Sequence, residues 1–191
     1  MARRAFFHLT GRVWLIAVVA AGIAAFISQR APTDGLGLGA IAPAFSLPVA
    51  ADTRVDLPAG TLVSLNLFPK HVRLINFWST TCGPCLMEIP SLNRLAAHFA
   101  GRDFQILAIS EDGDQPDPWG TIAQFQQRVP MQFPILLDSD GRVADLYGTY
   151  VIPESFLVDR SGRVVRRITG AIRWDDPEIV AEIERLVLEP S

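Results

Sequence analysis

The stretch Leu74-Ile75-Asn76-Phe77-Trp78-Ser79-Thr80-Thr81-Cys82-Gly83-Pro84-Cys85 limits this chain more than any other, because it holds both of its cysteines. Leu74 to Trp78 is short, apolar and rich in β-formers, and a turn-like Thr-Thr-Cys-Gly-Pro cluster follows at once, so it reads as a buried strand leading into a helix. Pro84 suits the first helical turn, where a missing N–H costs nothing and φ is already helical. Cys82 then stands at a helix N-terminus, where unpaired backbone N–H groups and the positive end of the helix dipole favour an anion. For a cysteine that anion is a thiolate.

Two residues between the cysteines suit disulfide exchange. A thiolate at Cys82 attacks a disulfide, and Cys85, one helical turn on, attacks the mixed disulfide and releases the reduced product. Other uses fit less well. A structural disulfide usually closes a longer loop, since so short a ring removes little unfolded-state entropy. Zinc wants four ligands, and His71 and His98 lie at no recognised offset from the pair. Haem attachment needs a histidine directly after Cys85, where Leu86 stands. Neither a metal nor a cofactor is expected.

The ends of the chain differ in character. Residues 1 to 30 hold four arginines and no acid, which leaves 13 basic and 20 acidic residues, or -7, in the remainder. Val13 to Ile27 has no polar residue and is preceded by Arg3, Arg4 and Arg12. A helix of that length rises about 22 Å, short of a full hydrocarbon core unless Leu9 to Arg12 contribute by snorkelling. Residues 1–30 are expected to be a retained signal anchor, with residues 13–27 in the inner membrane. A cleaved signal, leaving a soluble form, is the alternative. Positive charge before the run keeps the N-terminus in the cytoplasm, so the body faces the periplasm or the outside, where disulfides persist. No basic stripe interleaved with aromatics points to nucleic acid.

Residues 31–42, with Pro32, Gly35, Gly37 and Gly39, read as a flexible linker, and residues 43–191 as one domain. Short strands are expected at Ala44 to Pro48 and Thr61 to Leu65. Beyond the cysteines, Ile89, Leu92, Leu95, Ala96 and Phe99 recur at helical spacing, and Pro90 should kink that helix. Phe104 to Ile109 reads as a second buried strand, Glu111 to Trp119 as a loop, and Thr121 to Val129 as a helix. A short strand at Ile135 to Leu137, a short helix at Val143 to Tyr147 and a hairpin over Ser155 to Ile168 follow. In the last helix Asp175 is the expected cap and Pro177 lies in the first turn. Arg163, Arg166 and Arg167 alternate with apolar residues and read as a solvated strand edge. Strand and helix alternation ending in a hairpin and helix implies a mixed sheet covered on both faces.

Asn76 to Cys85 followed by Glu88-Ile89-Pro90 resembles the membrane-anchored thioredoxin-like proteins of the TlpA, ResA and CcmG (DsbE) type, and the likeness runs from about Ala42 to the C-terminus. The resemblance implies a thioredoxin-like α/β fold, with an N-terminal β-hairpin extension that Ala42 to Leu47 would open. Tyr150-Val151-Ile152-Pro153-Glu154-Ser155-Phe156-Leu157-Val158-Asp159 is similar to the family's Pro-x-Thr-Phe-Leu-Ile-Asp stretch. It implies a cis Ile152–Pro153 bond facing the cysteines, with Ile152 offering backbone groups to an extended substrate. Glu88 matches the carboxylate of a Cys-x-x-Glu pattern and is a candidate acceptor for the Cys85 proton. Asn76 stands where thioredoxin has an aspartate, and it does not titrate. A surface glutamate paired with Arg94 is the plain alternative for Glu88. Trp78 should lie beside the thiols as a shield and apolar docking surface, although a core aromatic would look the same. Gly83 and Pro84 shape the helix start. Glu111 and Asp112 follow a strand at the cysteine edge of the sheet, but a solvated loop is the plainer reading. Trp119 and Trp174 sit in loop-like contexts, as partner contacts or as packing.

The function expected from the resemblance is thiol-disulfide exchange in the reducing direction. Its clients would be apocytochrome c or copper-site assembly proteins, and its upstream membrane electron donor would be of the CcdA/DsbD type. A disulfide-forming oxidant is one alternative. A copper-binding module of the Sco type is another, although that family spaces its cysteines by three residues and uses a distant histidine. Peroxiredoxins need Pro-x-x-x-Thr/Ser-x-x-Cys, and Ile75 stands where that proline belongs.

Overall fold

The computed structural model describes residues 35–51 and 58–189. The anchor expected over residues 1–30 lies outside the described residues. Among those described, no helix is long and apolar enough to cross a membrane. The elements run β1 (Ser46–Ala51), β2 (Leu62–Ser64), β3 (Val72–Trp78), α1 (Gly83–His98), β4 (Phe104–Ser110), α2 (Pro118–Arg128), β5 (Ile135–Leu137), α3 (Arg142–Tyr147), β6 (Glu154–Val158), β7 (Val164–Thr169) and α4 (Pro177–Leu188).

The strands form one mixed sheet in the order β2-β1-β5-β4-β3-β6-β7. β3 pairs in parallel with β4, and β4 with β5, while β6 runs antiparallel to both β3 and β7. β1 pairs antiparallel with β2 on one side and β5 on the other.

All seven residues of β3 are buried, because a central strand covered on both faces has no solvent side. Alternate side chains serve different cores. Leu74 and Trp78 join Ile106, Ala108 and Leu137 under α1 and α4, where Ile89, Leu92, Leu95 and Ile183 close the layer. Ile75 and Phe77 join Ile109, Leu136 and Phe156 on the opposite face, beneath Val143 and Tyr147 of α3. Each fully buried aliphatic side chain contributes about 1.5 to 3 kcal/mol, so these two layers fix the sheet between its helices. α1 runs unbroken through Pro90, which lies on its exposed face.

Several expectations are corrected. α2 begins at Pro118, three residues before the start expected from the apolar spacing, and takes in Trp119. Asp117 caps it by accepting the Gly120 N–H at 3.0 Å, so the Pro-rich stretch is a cap followed by a first-turn proline. The cap of α4 is Asp176, which accepts from Glu178 N, because the Asp175 carboxylate is taken by Arg94 at 2.7 Å. The presumed linker is tied down over part of its length: Leu36 N donates to Tyr147 O, Gly39 N to Val164 O and Ala42 N to Gly162 O. β7 is an edge strand, yet Arg166 pairs with Glu182 and Arg167 with the buried Glu154, so the arginines are not simply solvated.

Candidate active site

β3 delivers the chain to the carboxyl edge of the sheet, and α1 starts five residues later with Cys82 as its N-cap. Cys82 and Cys85 are joined as a disulfide, with Cα atoms 5.3 Å apart. Cys82 Sγ occupies the place of a capping oxygen and accepts the Cys85 N–H at 3.2 Å. A thiolate there would keep that charge-assisted bond and the favourable end of the helix dipole. Pro84 lies in the first turn, and the Cα of Gly83 faces open space. Cys82 is half-buried, whereas Cys85 is only 1% exposed. An incoming disulfide therefore meets Cys82 first.

Glu88 lies three residues beyond Cys85 and is 2% exposed, which overturns the surface-glutamate alternative; Arg94 pairs with Asp175 instead. Its Oε1 accepts from Asn76 Nδ2 at 2.7 Å, and its Oε2 from Trp174 Nε1 at 3.1 Å. Asn76 Nδ2 also donates to Ser155 Oγ at 2.9 Å, so one amide joins β3, α1 and β6. Ser91 completes the web, donating to Glu88 O and accepting from Trp174 N. Burial pushes the Glu88 carboxyl above its ordinary value, opposed by the hydrogen bonds from Asn76, Trp174 and the Ile172 backbone. Trp174, 1% exposed, is a structural partner of Glu88 and not a surface contact. Nothing local in the sequence marks that role, because the two residues are 86 positions apart.

The start of the loop after β4 is built into the site, while its later residues Asp114, Pro116 and Asp117 are exposed. Asp112, 1% exposed, accepts from Thr80 N at 3.1 and 3.0 Å, from Thr80 Oγ1 at 2.7 Å and from Ser110 Oγ at 2.6 Å. A single carboxylate thus holds the turn two residues ahead of Cys82. Glu111 N donates to Trp78 O at 2.9 Å. Burial, then the charges of Asp138, Glu154 and Asp112, raises the Glu111 carboxyl to about 7. Its Oε1 and Asp138 Oδ1 are both enclosed without a hydrogen-bond partner.

The raised Glu111 value has a definite sign. The unfolded chain releases this proton near the ordinary value of 4.5 and the folded protein near 7, so the group's contribution to stability falls as pH rises through that window. Glu111→Gln should therefore be more stable than the parent at pH 8 and converge with it below the unfolded value. Urea midpoints of both proteins across that range check this, and a pH-independent difference would contradict it.

The Ile152–Pro153 peptide bond is cis and leads directly into β6. Ile152 is half-buried and packs on the cluster that contains Cys85, while Pro153 is buried. Trp78 is 1% exposed and packs on Phe125 with ring centroids 5.2 Å apart. It lies in the core under the dithiol and offers no docking surface, because it points into the layer beneath α1. Exposed apolar groups instead come from Met87 on α1 and from Tyr150 and Val151 before the cis bond. Among the described residues no group of three or more potential ligands could hold a metal ion.

The profile of the AhpC/TSA family matches residues 38–167, more than half of the chain. Thiol-disulfide oxidoreductase ResA of Bacillus thuringiensis subsp. konkukian is 32% identical over 111 residues, covering 58% of this chain and 62% of that protein. ResA of Bacillus subtilis is 28% identical over 170 residues, covering 89% and 88%. The chain thus spans about three fifths of the first of these relatives and most of the second. A crystal structure from Chlorobium tepidum, of a protein assigned as thiol:disulfide interchange protein DsbE, superposes with a TM-score of 0.63. It is 30% identical and is matched over 80% of this chain and 96% of that one. The fold is thioredoxin-like.

Proposed function

Since the chain belongs to the AhpC/TSA family, we propose that it is a protein-disulfide oxidoreductase working in the reducing direction. The observation that carries this reading is the pair itself, at a helix N-terminus with Cys82 reachable and Cys85 enclosed. Cys82 thiolate attacks one sulfur of a client disulfide and expels the other as a thiolate. Glu88 takes the Cys85 proton, Cys85 attacks Cys82 Sγ, and the second client thiolate leaves. The client gains two electrons, and the enzyme ends as the Cys82–Cys85 disulfide. Peroxide reduction is not part of the proposal, because Ile75 in the middle of β3 replaces the proline that chemistry needs.

The reducing direction is supported by the charges around the pair. DsbA is a strong oxidant because its reduced form is stabilised. Here the negative charges of Asp112, which holds the turn before Cys82, and of Glu88, one turn after Cys85, oppose the stabilisation that the helix N-terminus gives a Cys82 thiolate, and so favour the disulfide. Equilibration of the full chain with thiol-disulfide buffers should give a potential nearer the thioredoxin value, about -270 mV, than the DsbA value, about -120 mV. Asp112→Asn should raise it. A midpoint near the DsbA value would make the protein an oxidant.

Residues 13–27 as an inner-membrane anchor, with the domain on the periplasmic or outer side, complete the reading. A membrane donor of the CcdA/DsbD type would regenerate the dithiol, and the clients would be apocytochrome c or copper-site assembly proteins. The ResA and DsbE names of the similar proteins support the redox chemistry, and the apolar run after Arg3, Arg4 and Arg12 supports the anchor.

A further inference from the structure

We propose that Arg167 is a positioning residue that sets the Gly148–Pro153 loop against the dithiol for polypeptide clients, an inference that rests on the reductase reading above. Its Nε donates to Glu154 Oε1 at 2.8 Å, and its NH2 donates to Glu154 Oε2 at 3.2 Å and to Gly148 O at 2.9 Å. One guanidinium therefore grips both ends of the loop that carries the cis bond. Glu154 is 3% exposed, and its Oε1 also accepts from Thr169 Oγ1 at 2.8 Å. Gly170 N adds a bond to Pro153 O at 2.8 Å, and the guanidinium lies over the Phe156 ring, 5.3 Å from its centroid. At the other end Gly148 has φ +63°, and a Cβ there would meet Gly35 Cα, so the chain turns in a conformation that only glycine adopts freely.

The gripped loop is tied to the reacting edge through β6. Glu154 pairs with Phe77, and Ser155 with Asn76, whose amide bonds Glu88. Between the two grips, Tyr150 is 78% and Val151 60% exposed, so they face what a polypeptide brings alongside its disulfide. A small disulfide needs only access to the Cys82–Cys85 pair, without contacts along the loop. A planar fork bonds two oxygens of Glu154 and a carbonyl at once, which an ammonium does not match.

The test uses the full chain, with insulin as the polypeptide disulfide and oxidised glutathione as the small one. Arg167→Met should lower kcat/KM for insulin by about tenfold, chiefly through KM, and change the glutathione rate by less than about twofold. Arg167→Lys should recover only part of the insulin rate. If Arg167→Met does not fold, Arg167→Lys and Glu154→Gln carry the same comparison, since each loses the paired fork. Equal losses on both substrates would reduce Arg167 to a general structural role, and no loss on insulin would remove it from substrate positioning; either result overturns the proposal. A parent protein inert towards both substrates would sink the reductase reading itself, and this proposal with it.

Discussion

Cys82→Ala is expected to abolish disulfide reduction, whereas Cys85→Ser is expected to retain the first attack and to accumulate a mixed disulfide through Cys82. The asymmetry follows from burial, because Cys85, at 1% exposure, is shielded from an incoming substrate and Cys82 is not. It follows also from capping, since the bond from Cys85 N places the favourable electrostatics on Cys82 Sγ. The alanine variant loses the nucleophile and with it the covalent route, so at least three orders of magnitude in rate are expected to go, roughly the scale seen when a nucleophile is removed. Mass spectrometry of the trapped species from Cys85→Ser reports which sulfur carries the client. A client found on residue 85 in the converse variant, Cys82→Ser, at equal yield would reverse the assignment. The trap also identifies the client directly.

The second large effect is expected at Glu88. If Glu88 accepts the Cys85 proton as proposed, Glu88→Gln should slow reduction roughly a hundredfold at neutral pH, the scale of one general-base contribution. The parent rate should rise with pH through a value above that of an ordinary glutamate, because burial holds the proton on and only the ionised form accepts another. The variant should lack that limb. Stability moves separately: the glutamine amide would face Trp174 Nε1–H, setting donor against donor at a cost of about 1 to 3 kcal/mol. Adding Trp174→Phe removes that conflict without restoring a base. A double variant that regains stability and not the pH limb separates proton transfer from packing, while an unchanged limb in Glu88→Gln alone would take the proton elsewhere.

The central strand, the dithiol helix and the paired β6 and β7 were legible because periodicity, turn residues and a first-turn proline act within a few positions of one another. Glu88 was legible through its spacing from Cys85. What held it there was not, since Asn76 gives no hint of donating to both Glu88 and Ser155, and Trp174 is remote in sequence. Asp112 was hidden for a related reason. Acids followed by Gly113, Pro116 and Pro118 have the composition of a solvated loop, and only the tertiary approach of β4 to β3 sets its carboxylate under Thr80. Asp117 shows the reverse case, in which the cap and first-turn proline were present in the sequence but were outweighed by their turn-rich neighbours.

The bonds from Gly39 and Ala40 to Val164 give the presumed linker a second task. β7 is the last strand of the sheet, and an unpaired outer strand invites the same strand of another copy. Val164 N donates to Ala40 O, and Gly39 N donates to Val164 O, so the entering chain occupies the first rung of that free side. A soluble fragment cut at residue 43 would strip the rung away and present bare backbone to its neighbours. One begun before Leu36 would keep the guard that the protein makes from the segment ahead of β1.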